Sequence, residues 1–280
     1  MVRINYRIMK KQTSFLTLLL MLTAVVLHAQ NRETRNVGPF TKIVFRVPGK
    51  VLLRQGDTQK VEIEGKKDIL EKIETQVEGS KLVIEKEGKW NDWKWNDDDR
   101  VTVYITVKEL EGISVSGSGD VIGESRFTTG DLELSVSGSG SLKLEANASG
   151  DVEADVSGSG DLYLKGQSKS FESDVTGSGK INISMTVSGL ADFQLSGSGK
   201  VEASGTANMV KASITGSGRV MAADMEAKRC QVRISGSGDV EINVKEELDA
   251  DITGSGSVNY KGNPSKVNSH ASGSGKVRKM

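Results

Sequence analysis

Histidine and cysteine, which enzymes use for nucleophilic and zinc-dependent chemistry, are rare in this sequence. The 280 residues include two histidines, His28 and His270, and one cysteine, Cys230. His28 lies in a segment that we predict to be removed, so one histidine and one cysteine remain. A conventional zinc site needs three or four such ligands, and a Ser-His-Asp or Cys-His site would depend on His270 alone, in the last repeat. The sequence therefore predicts none of those sites, and it predicts that Cys230 is a buried structural thiol.

Carboxylates recur at a regular interval and could bind a cation. Glutamate or aspartate stands at four regularly spaced positions, and two further aspartates lie two places after the middle positions. If these residues stack on neighbouring strands, like charges lie within ~5 Å of each other, which is unfavourable without a counter-ion. Such oxygen ligands suit Ca²⁺. The alternative is a solvated face whose charges are relieved by neighbouring lysines. The recurring acids are Glu133, Glu153, Glu172 and Asp192, and the candidate calcium ligands are Glu153, Asp155, Glu172, Asp174 and Asp192.

All three tryptophans lie in one short segment, residues 89–99, among asparagines and aspartates. Aromatic rings that are flanked by such polar residues could stack on sugar rings or contact a protein partner. The alternative is that the indoles fold back and cover an open edge or the end of a core. The candidate ligand-binding residues are Trp90, Trp93, Trp95, Asp97 and Asp98.

A repeated tetrapeptide must position these side chains. Ser/Thr-Gly-Ser-Gly occurs nine times. Its copies are about 20 residues apart, and a fixed period of this size is typical of a solenoid, in which each unit buries its apolar face on its neighbours. The first glycines of the nine copies are Gly117, Gly138, Gly158, Gly177, Gly197, Gly216, Gly236, Gly254 and Gly273.

Apolar residues alternate with polar ones on both sides of the motif, which is the period of a strand. The residues two before and four after the first glycine are apolar in almost every copy, and both glycines fall on the same inward track. A glycine pair there indicates a sharp bend or a pinched core. We predict an all-β fold, a parallel β-solenoid of about nine repeats with an N-terminal β-cap. An antiparallel meander or roll is the alternative, because a unit of this length also makes one hairpin.

The hydroxyl residues of the motif form a second regular pattern. If they face outward, they lie ~7 Å apart along a strand and ~4.8 Å apart across strands. Such a face could order water or lie against a repetitive polymer such as a polysaccharide. The alternative is that small residues are tolerated at a bend, where their hydroxyls satisfy turn backbone groups. The central pairs are Thr176 with Ser178, Ser196 with Ser198, and Thr215 with Ser217.

The N-terminal part lacks the motif and is predicted to form a β-unit over residues 30–110 that is continuous with the solenoid of residues 111–280. A short helix is predicted over Asp68–Glu74, with Asp68 as its N-cap. The predicted strands are Ile43–Val47, Val51–Arg54, Val61–Glu64, Leu82–Glu85 and Val101–Val107.

Residues 1–29 have the pattern of a secretory signal peptide. Four basic residues precede an apolar run over residues 15–26, and Ala29 ends a plausible cleavage site. The run is shorter than the ~20 residues that span a bilayer, and no cysteine follows the cleavage site. We expect an exported protein, without a transmembrane span in the mature chain and not a lipoprotein.

The charge balance argues against a nucleic-acid partner. Removal of residues 1–29 leaves 33 basic and 37 acidic side chains, a formal net charge of −4. Nucleic-acid binding normally requires a basic patch.

The sequence resembles the bacterial family called putative auto-transporter adhesin, head GIN domain. The resemblance is carried by Phe40-Thr41-Lys42-Ile43, by Asp68–Glu74, by Val101–Val107 and by the following Ile113–Asp120, and it spans roughly residues 40–260. It implies an exported β-helical domain of undefined molecular function, in a periplasmic, cell-surface or secreted protein of a Gram-negative bacterium. It transfers no catalytic or binding residue to this chain.

We expect a non-enzymatic scaffold or adhesion-type binding protein, with a glycan or a surface protein as partner and no cofactor other than Ca²⁺. The alternative is a carboxylate-dependent polysaccharide-active enzyme. Active sites on β-helical folds usually lie under long loops, and the repeat length here is nearly constant.

Overall fold

The computed structural model describes residues 31–88 and 99–280. Residues Arg32–Met280 form one compact unit. The predicted signal peptide lies outside the described residues, as do the tryptophan-segment candidates Trp90, Trp93, Trp95, Asp97 and Asp98. No helix within the described ranges is long and apolar enough to cross a membrane.

Those residues form 21 strands and one short helix, α1 (Lys67–Leu70). The strands are β1 Asn31–Thr34, β2 Lys42–Phe45, β3 Gly49–Gln55, β4 Lys60–Gly65, β5 Ile73–Glu78, β6 Lys81–Lys86, β7 Val101–Val107, β8 Gly112–Gly117, β9 Asp120–Thr129, β10 Leu132–Gly138, β11 Ser141–Ala148, β12 Asp151–Gly158, β13 Asp161–Ser168, β14 Ser170–Gly177, β15 Lys180–Gly197, β16 Lys200–Gly216, β17 Arg219–Gly236, β18 Asp239–Gly254, β19 Ser257–Lys261, β20 Lys266–Gly273 and β21 Lys276–Lys279.

The strands pair in two long ladders, so each coil has two faces. Sheet one runs β5–β6–β2–β8–β10–β12–β14 and continues through the C-terminal halves of β15 to β18 to β20. Sheet two runs β1–β4–β7–β3–β9–β11–β13 and continues through the N-terminal halves of β15 to β18 to β19 and β21. The pairs from β8 onward are parallel, which confirms the solenoid and excludes the antiparallel meander.

The aliphatic core lies between the two sheets, on the inward track that the alternation predicts. Val136, Val175 and Ile214, each two residues before a motif glycine, are at most 2% exposed. Cys230 is also buried, and burial alone raises the pKa of its thiol to about 12. A thiol with that pKa stays protonated and behaves as a small apolar side chain.

The two glycines of each motif have different physical roles. The first has a positive φ in all nine copies, between 86° and 127°, a conformation that favours glycine at the bend. The second is buried against the coil below: a Cβ at Gly160 would lie 2.6 Å from Cγ1 of Val136 and 2.7 Å from the carbonyl oxygen of Gly140. The motif therefore makes both the predicted bend and the pinched core.

The helix prediction was wrong beyond Leu70. The helix covers Lys67–Leu70, its N-cap position is Lys66, and Asp68 lies in its first turn and does not cap it. From Ile73 the chain forms β5, which pairs antiparallel with β6. The alternation of Ile73, Thr75 and Val77 continues the sheet, and a helix would break that pairing.

The rest of the N-terminal part stacks directly on the solenoid. β2 pairs in parallel with β8, and β3 pairs in parallel with β9. The predicted strands all form, with ends within two residues of the prediction, and the strand Val101–Val107 has the predicted limits.

Candidate functional site

The motif hydroxyls form two exposed columns along one edge of the solenoid. Ser137 pairs with Ser157, Thr176 with Ser196, and the same register continues to Ser272. Apart from Ser116, which is partly covered, all residues of the two columns are exposed. The tertiary structure therefore brings the predicted central pairs Thr176/Ser178, Ser196/Ser198 and Thr215/Ser217 together on one surface.

These hydroxyls have few partners within the protein. In residues 31–88 and 99–280, the only side-chain hydrogen bond from either column is a weak one, 3.4 Å from Oγ1 of Thr176 to Oδ1 of Asp174. The backbone N–H groups at the bend bond to the neighbouring coil instead: Ser178 N–H donates to the Gly158 carbonyl at 2.8 Å. The hydroxyls are thus not used to satisfy the turn, and they remain available to solvent or a ligand.

The recurring acids lie on the same sheet, beside the hydroxyl columns. Glu133, Glu153, Glu172 and Asp192 occupy one register position on successive strands, and Asp155 lies directly opposite Asp174 in the neighbouring column. The predicted stacking is therefore present. We call these six residues the acidic face.

Neutralising groups lie at the two ends of the acidic face. Lys42 Nζ lies 2.7 Å from Oε2 of Glu133, and Lys211 Nζ lies 3.1 Å from Oδ2 of Asp192. These contacts agree with the predicted relief by lysines. The pKa of Glu133 is lowered, chiefly by its hydrogen bond from Lys42.

The centre of the acidic face carries unrelieved charge. Neither Glu153 nor Asp155 makes a side-chain hydrogen bond or an ion pair with the described residues. The pKa of Asp155 is raised to about 6, first by burial and then by the charges of Glu153 and Asp174. Asp155 therefore carries a proton at pH values where an ordinary aspartate is ionised.

The carboxylates form an open array and not a closed cage. Among the described residues, no group of three or more His, Cys, Asp or Glu side chains is arranged to hold a metal ion. Calcium binding by Glu153, Asp155, Glu172, Asp174 and Asp192 stays a prediction.

Each coil has a second corner, opposite the Ser-Gly-Ser-Gly bend, for example at residues 130–131 and 149–150. A groove of about 940 Å³ runs along this corner, next to the acidic face. It is lined by Glu133, Glu153 and Glu172 together with Asp131 and Asp151, which sequence reasoning missed. The two aspartates help to build the corner, because Oδ1 of Asp131 accepts the Asp151 N–H at 2.9 Å. The Gly-Asp dipeptides 130–131 and 150–151, which recur one coil apart, were the available signal.

One cluster of charges on sheet two is fully paired. Glu202 accepts from Lys180 at 2.7 Å and from Lys200 at 2.6 Å, and these two hydrogen bonds, more than any other contact, lower its pKa to about 2. This cluster joins β15 and β16 and leaves no free carboxylate for a ligand at Glu202.

Comparison with known proteins places the chain in a family. The model of the family described as "Putative auto-transporter adhesin, head GIN domain" matches residues 39–201 and 186–264. No curated protein matches the chain.

Solved structures share the fold at low sequence identity. A crystal structure of a "Putative lipid binding protein" from Parabacteroides distasonis has a TM-score of 0.63 at 23% identity, and covers 91% of this chain and 98% of that one. A "putative adhesin" from the same species has a TM-score of 0.65 at 20% identity, with 89% and 96% covered. A "putative adhesin" from Parabacteroides merdae has a TM-score of 0.61 at 20% identity, with 91% and 97% covered.

At these identities the solved structures establish the fold alone, whereas the family model spans most of the chain and includes both the N-terminal strands and the repeats. The chain therefore belongs to the family described as Putative auto-transporter adhesin, head GIN domain.

Proposed function

We propose that this protein is an exported, non-enzymatic binding protein of the adhesion type, and that its hydroxyl columns contact a repetitive polar polymer such as a polysaccharide. The observation that carries the proposal is the pair of exposed columns whose hydroxyls are not used by the fold. Their repeat is the strand spacing of ~4.8 Å. A polymer with its own regular spacing of hydroxyls can meet many such groups at once.

The family description and the names of two structural neighbours, both "putative adhesin", support a surface role. The name of a third neighbour, "Putative lipid binding protein", leaves a lipid component of the ligand open to test. The short, uniform coils support binding over catalysis, because no long loop stands over either sheet in the described chain.

The proposal is tested by measuring binding of the purified protein to a panel of polysaccharides and lipid vesicles. Replacement of Thr176, Ser178, Ser196, Ser198, Thr215 and Ser217 by alanine removes the central hydroxyls without adding bulk. No non-glycine residue of the described chain has a positive φ, so alanine is compatible with the bend. We expect loss of polysaccharide binding with an unchanged melting temperature.

A matched control replaces exposed hydroxyls on sheet two, Ser184, Thr186 and Thr206, by alanine. This variant should bind like the parent. Equal binding by both variants would show that the hydroxyl columns are not the contact, and binding of vesicles alone would point to lipid as the ligand.

The tryptophan segment is a second proposed contact and can be tested in the same assay. Trp93→Ala and Trp95→Ala should weaken binding with little change in melting temperature if the indoles contact the ligand. A large loss of stability in both variants would show that the rings cover the core.

A second candidate function is carboxylate-dependent cleavage of a polysaccharide, and Asp155 favours it. A carboxyl with a raised pKa next to a second carboxyl is the arrangement that glycoside hydrolases use, and the pKa of Asp155, which lies beside Glu153 and Asp174, is raised to about 6. Release of new reducing ends by the parent, and its loss in Asp155→Asn, would support an enzyme. Binding without any release supports the non-enzymatic proposal.

A further inference from the structure

We propose that sheet two carries a separate binding site for a short run of neutral sugar rings, in a hollow beside Tyr163. The site shares its class of ligand with the proposed function and rests on it in that respect. It uses different residues, on the other sheet, and none of the residues of the hydroxyl columns takes part.

A hollow of about 370 Å³ lies in the middle of sheet two. Asn182, Glu202 and Met221 line it and occupy one register position on the successive strands β15, β16 and β17. Tyr163 stands at the same register position on β13, directly next to Asn182. The row from Tyr163 to Met221 covers three strand spacings, ~14 Å. It is therefore long enough to contact a short run of sugar rings.

A bulge in β17 forms one edge of the hollow. Along β16, the step from Glu202 to Ser204 is two residues. Their partners on β17, Met221 and Asp224, are three residues apart, so β17 has one extra residue here. A bulge bends its strand and re-aims the side chains. Asp224, whose side chain is 83% exposed, lies at the edge of the hollow as a result.

The polar groups in the hollow are held in place by bonds among themselves. Nδ2 of Asn182 donates to Oε2 of Glu202 at 2.7 Å, and Oδ1 of Asn182 has no hydrogen-bond partner among the described residues. Nζ of Lys200 lies 2.6 Å from Oε1 of Glu202, and an ammonium group has three N–H donors. An open acceptor thus lies near spare donors. This arrangement suits neighbouring hydroxyls of a sugar, because each hydroxyl both donates and accepts.

Tyr163 supplies the apolar contact that a sugar ring needs. It is the one exposed aromatic residue within the described ranges, at 37% exposure. In register it lies between Lys143 of β11 and Asn182 of β15. Its ring can pack on the C–H face of a sugar while the sugar hydroxyls reach the hollow. Lys143 and Lys165 beside the ring are exposed, so solvent and salt screen their charges.

The charges around the hollow balance, which favours a neutral sugar over an acidic one. Glu202 contacts two lysines, at 2.7 and 2.6 Å. Asp224 lies 3.6 Å from Lys261. Arg219 at the rim stands next to Asp239 in the register of β17 with β18. Neither sign of charge dominates, so the site offers little attraction to a carboxylate or a sulfate.

The hollow and the hydroxyl columns bind in different ways. The hollow contacts only a few sugar rings, so its affinity is low and is measured with concentrated short oligomers. The columns are flat, and they hold a polymer by summing many weak contacts. Short oligomers therefore report on the hollow, whereas long polysaccharides report on the columns.

The test is isothermal titration calorimetry of the purified protein with short oligomers of glucose, mannose, xylose and N-acetylglucosamine, and with an oligomer of glucuronic acid. We expect a neutral oligomer to bind and the acidic oligomer to bind no tighter. Tyr163→Ala and Asn182→Ala should each weaken binding roughly three- to ten-fold. Tyr163→Phe keeps the ring and should bind nearly as well as the parent.

Asn259→Ala is the matched control, because Asn259 holds the same register position as Asn182 two coils beyond the hollow's last strand. This variant and the hydroxyl-column variant should both bind the oligomers like the parent. Circular dichroism melting shows that each variant is folded.

A parent that binds no neutral oligomer would overturn the proposal, as would equal binding by Tyr163→Ala, Asn182→Ala and the parent. Tighter binding of the glucuronic acid oligomer would overturn the assignment of a neutral sugar. Loss of oligomer binding in the hydroxyl-column variant alone would place short sugars on the columns, so this proposal would fall while the proposed function stood. Failure of the columns to bind polysaccharide, with the oligomer results as expected, would do the reverse.

Discussion

At the scale of single residues, the acidic face shows how a repeat can place a charge where it is unfavourable. The register that stacks the valines of the core also stacks the carboxylates outside it, since both follow from one period. Lys42 and Lys211 relieve the ends, whereas Asp155 is partly buried and is acted on by the charges of Glu153 and Asp174. Its raised pKa is the result.

Asp155→Asn should stabilise the protein at neutral and alkaline pH. The ordinary pKa of 3.8 rises to about 6 in the folded state, so the folded protein holds the proton more tightly than the unfolded chain does. The stability from this proton is fully present below pH 3.8 and is lost as the pH rises through about 6. We expect a gain of roughly 1 kcal/mol at pH 8, after discounting for solvent screening, and none near pH 3.5.

Chemical denaturation of the parent and of Asp155→Asn at the two pH values measures this difference. Asp251→Asn, an exposed aspartate at the same position of a later coil, is the control. An equal gain in both variants, or a gain that persists at pH 3.5, would show that the raised pKa of Asp155 is not the source of the gain in stability.

At the scale of elements, the corner of each coil depends on two glycines for two reasons. The first permits the positive φ of the bend, and the second permits the coils to approach. From β8 to β21 the strands are joined by short corners of at most four residues, so we expect an error at one corner to disturb the pairing of the next coil.

Gly160→Ala should destabilise the fold although alanine is the smallest replacement. Its Cβ would meet Val136 and the Gly140 carbonyl at distances that real contacts do not reach, and overpacking of this kind costs about 1–3 kcal/mol. Gly130→Ala, at the opposite corner, meets nothing within 4 Å and should cost little. Urea unfolding of the two variants checks the difference, and equal stability would mean that the coils can separate locally.

At the scale of the whole molecule, the protection of backbone amides against hydrogen exchange should fall from the middle of the solenoid toward the C-terminal end. β16 pairs with a strand on each side, whereas β20 and β21 each pair on one side only among the described strands. Strands with fewer buried contacts open more readily. In dilute protein, amides of residues 266–279 should exchange with deuterium faster than those of residues 200–216. Equal exchange in the two segments would show that the last coil is covered.

The sequence by itself determined the solenoid, its inward track and the bend, because the same residue types recur at one period and each position has one physical meaning in a strand. The register of Glu153 with Glu172 follows from that period as well. The limits of α1 did not follow, since Ile69, Leu70 and Ile73 suit a helix and a strand alike and only the pairing of β5 with β6 decides between them.

Only the tertiary structure decided which polar groups remain free. The hydroxyl of Ser178 could bond to backbone groups of the turn or face solvent. It faces solvent, because the backbone N–H of Ser178 already donates to the Gly158 carbonyl of the neighbouring coil. Glu153 and Asp192 stand at the same position of the repeat, but Lys211 lies beside Asp192, whereas neither Glu153 nor Asp155 forms an ion pair with the described residues. Hydrogen bonds and charges depend on neighbours that lie a whole coil away in the chain, so their balance appears only when the coils are stacked.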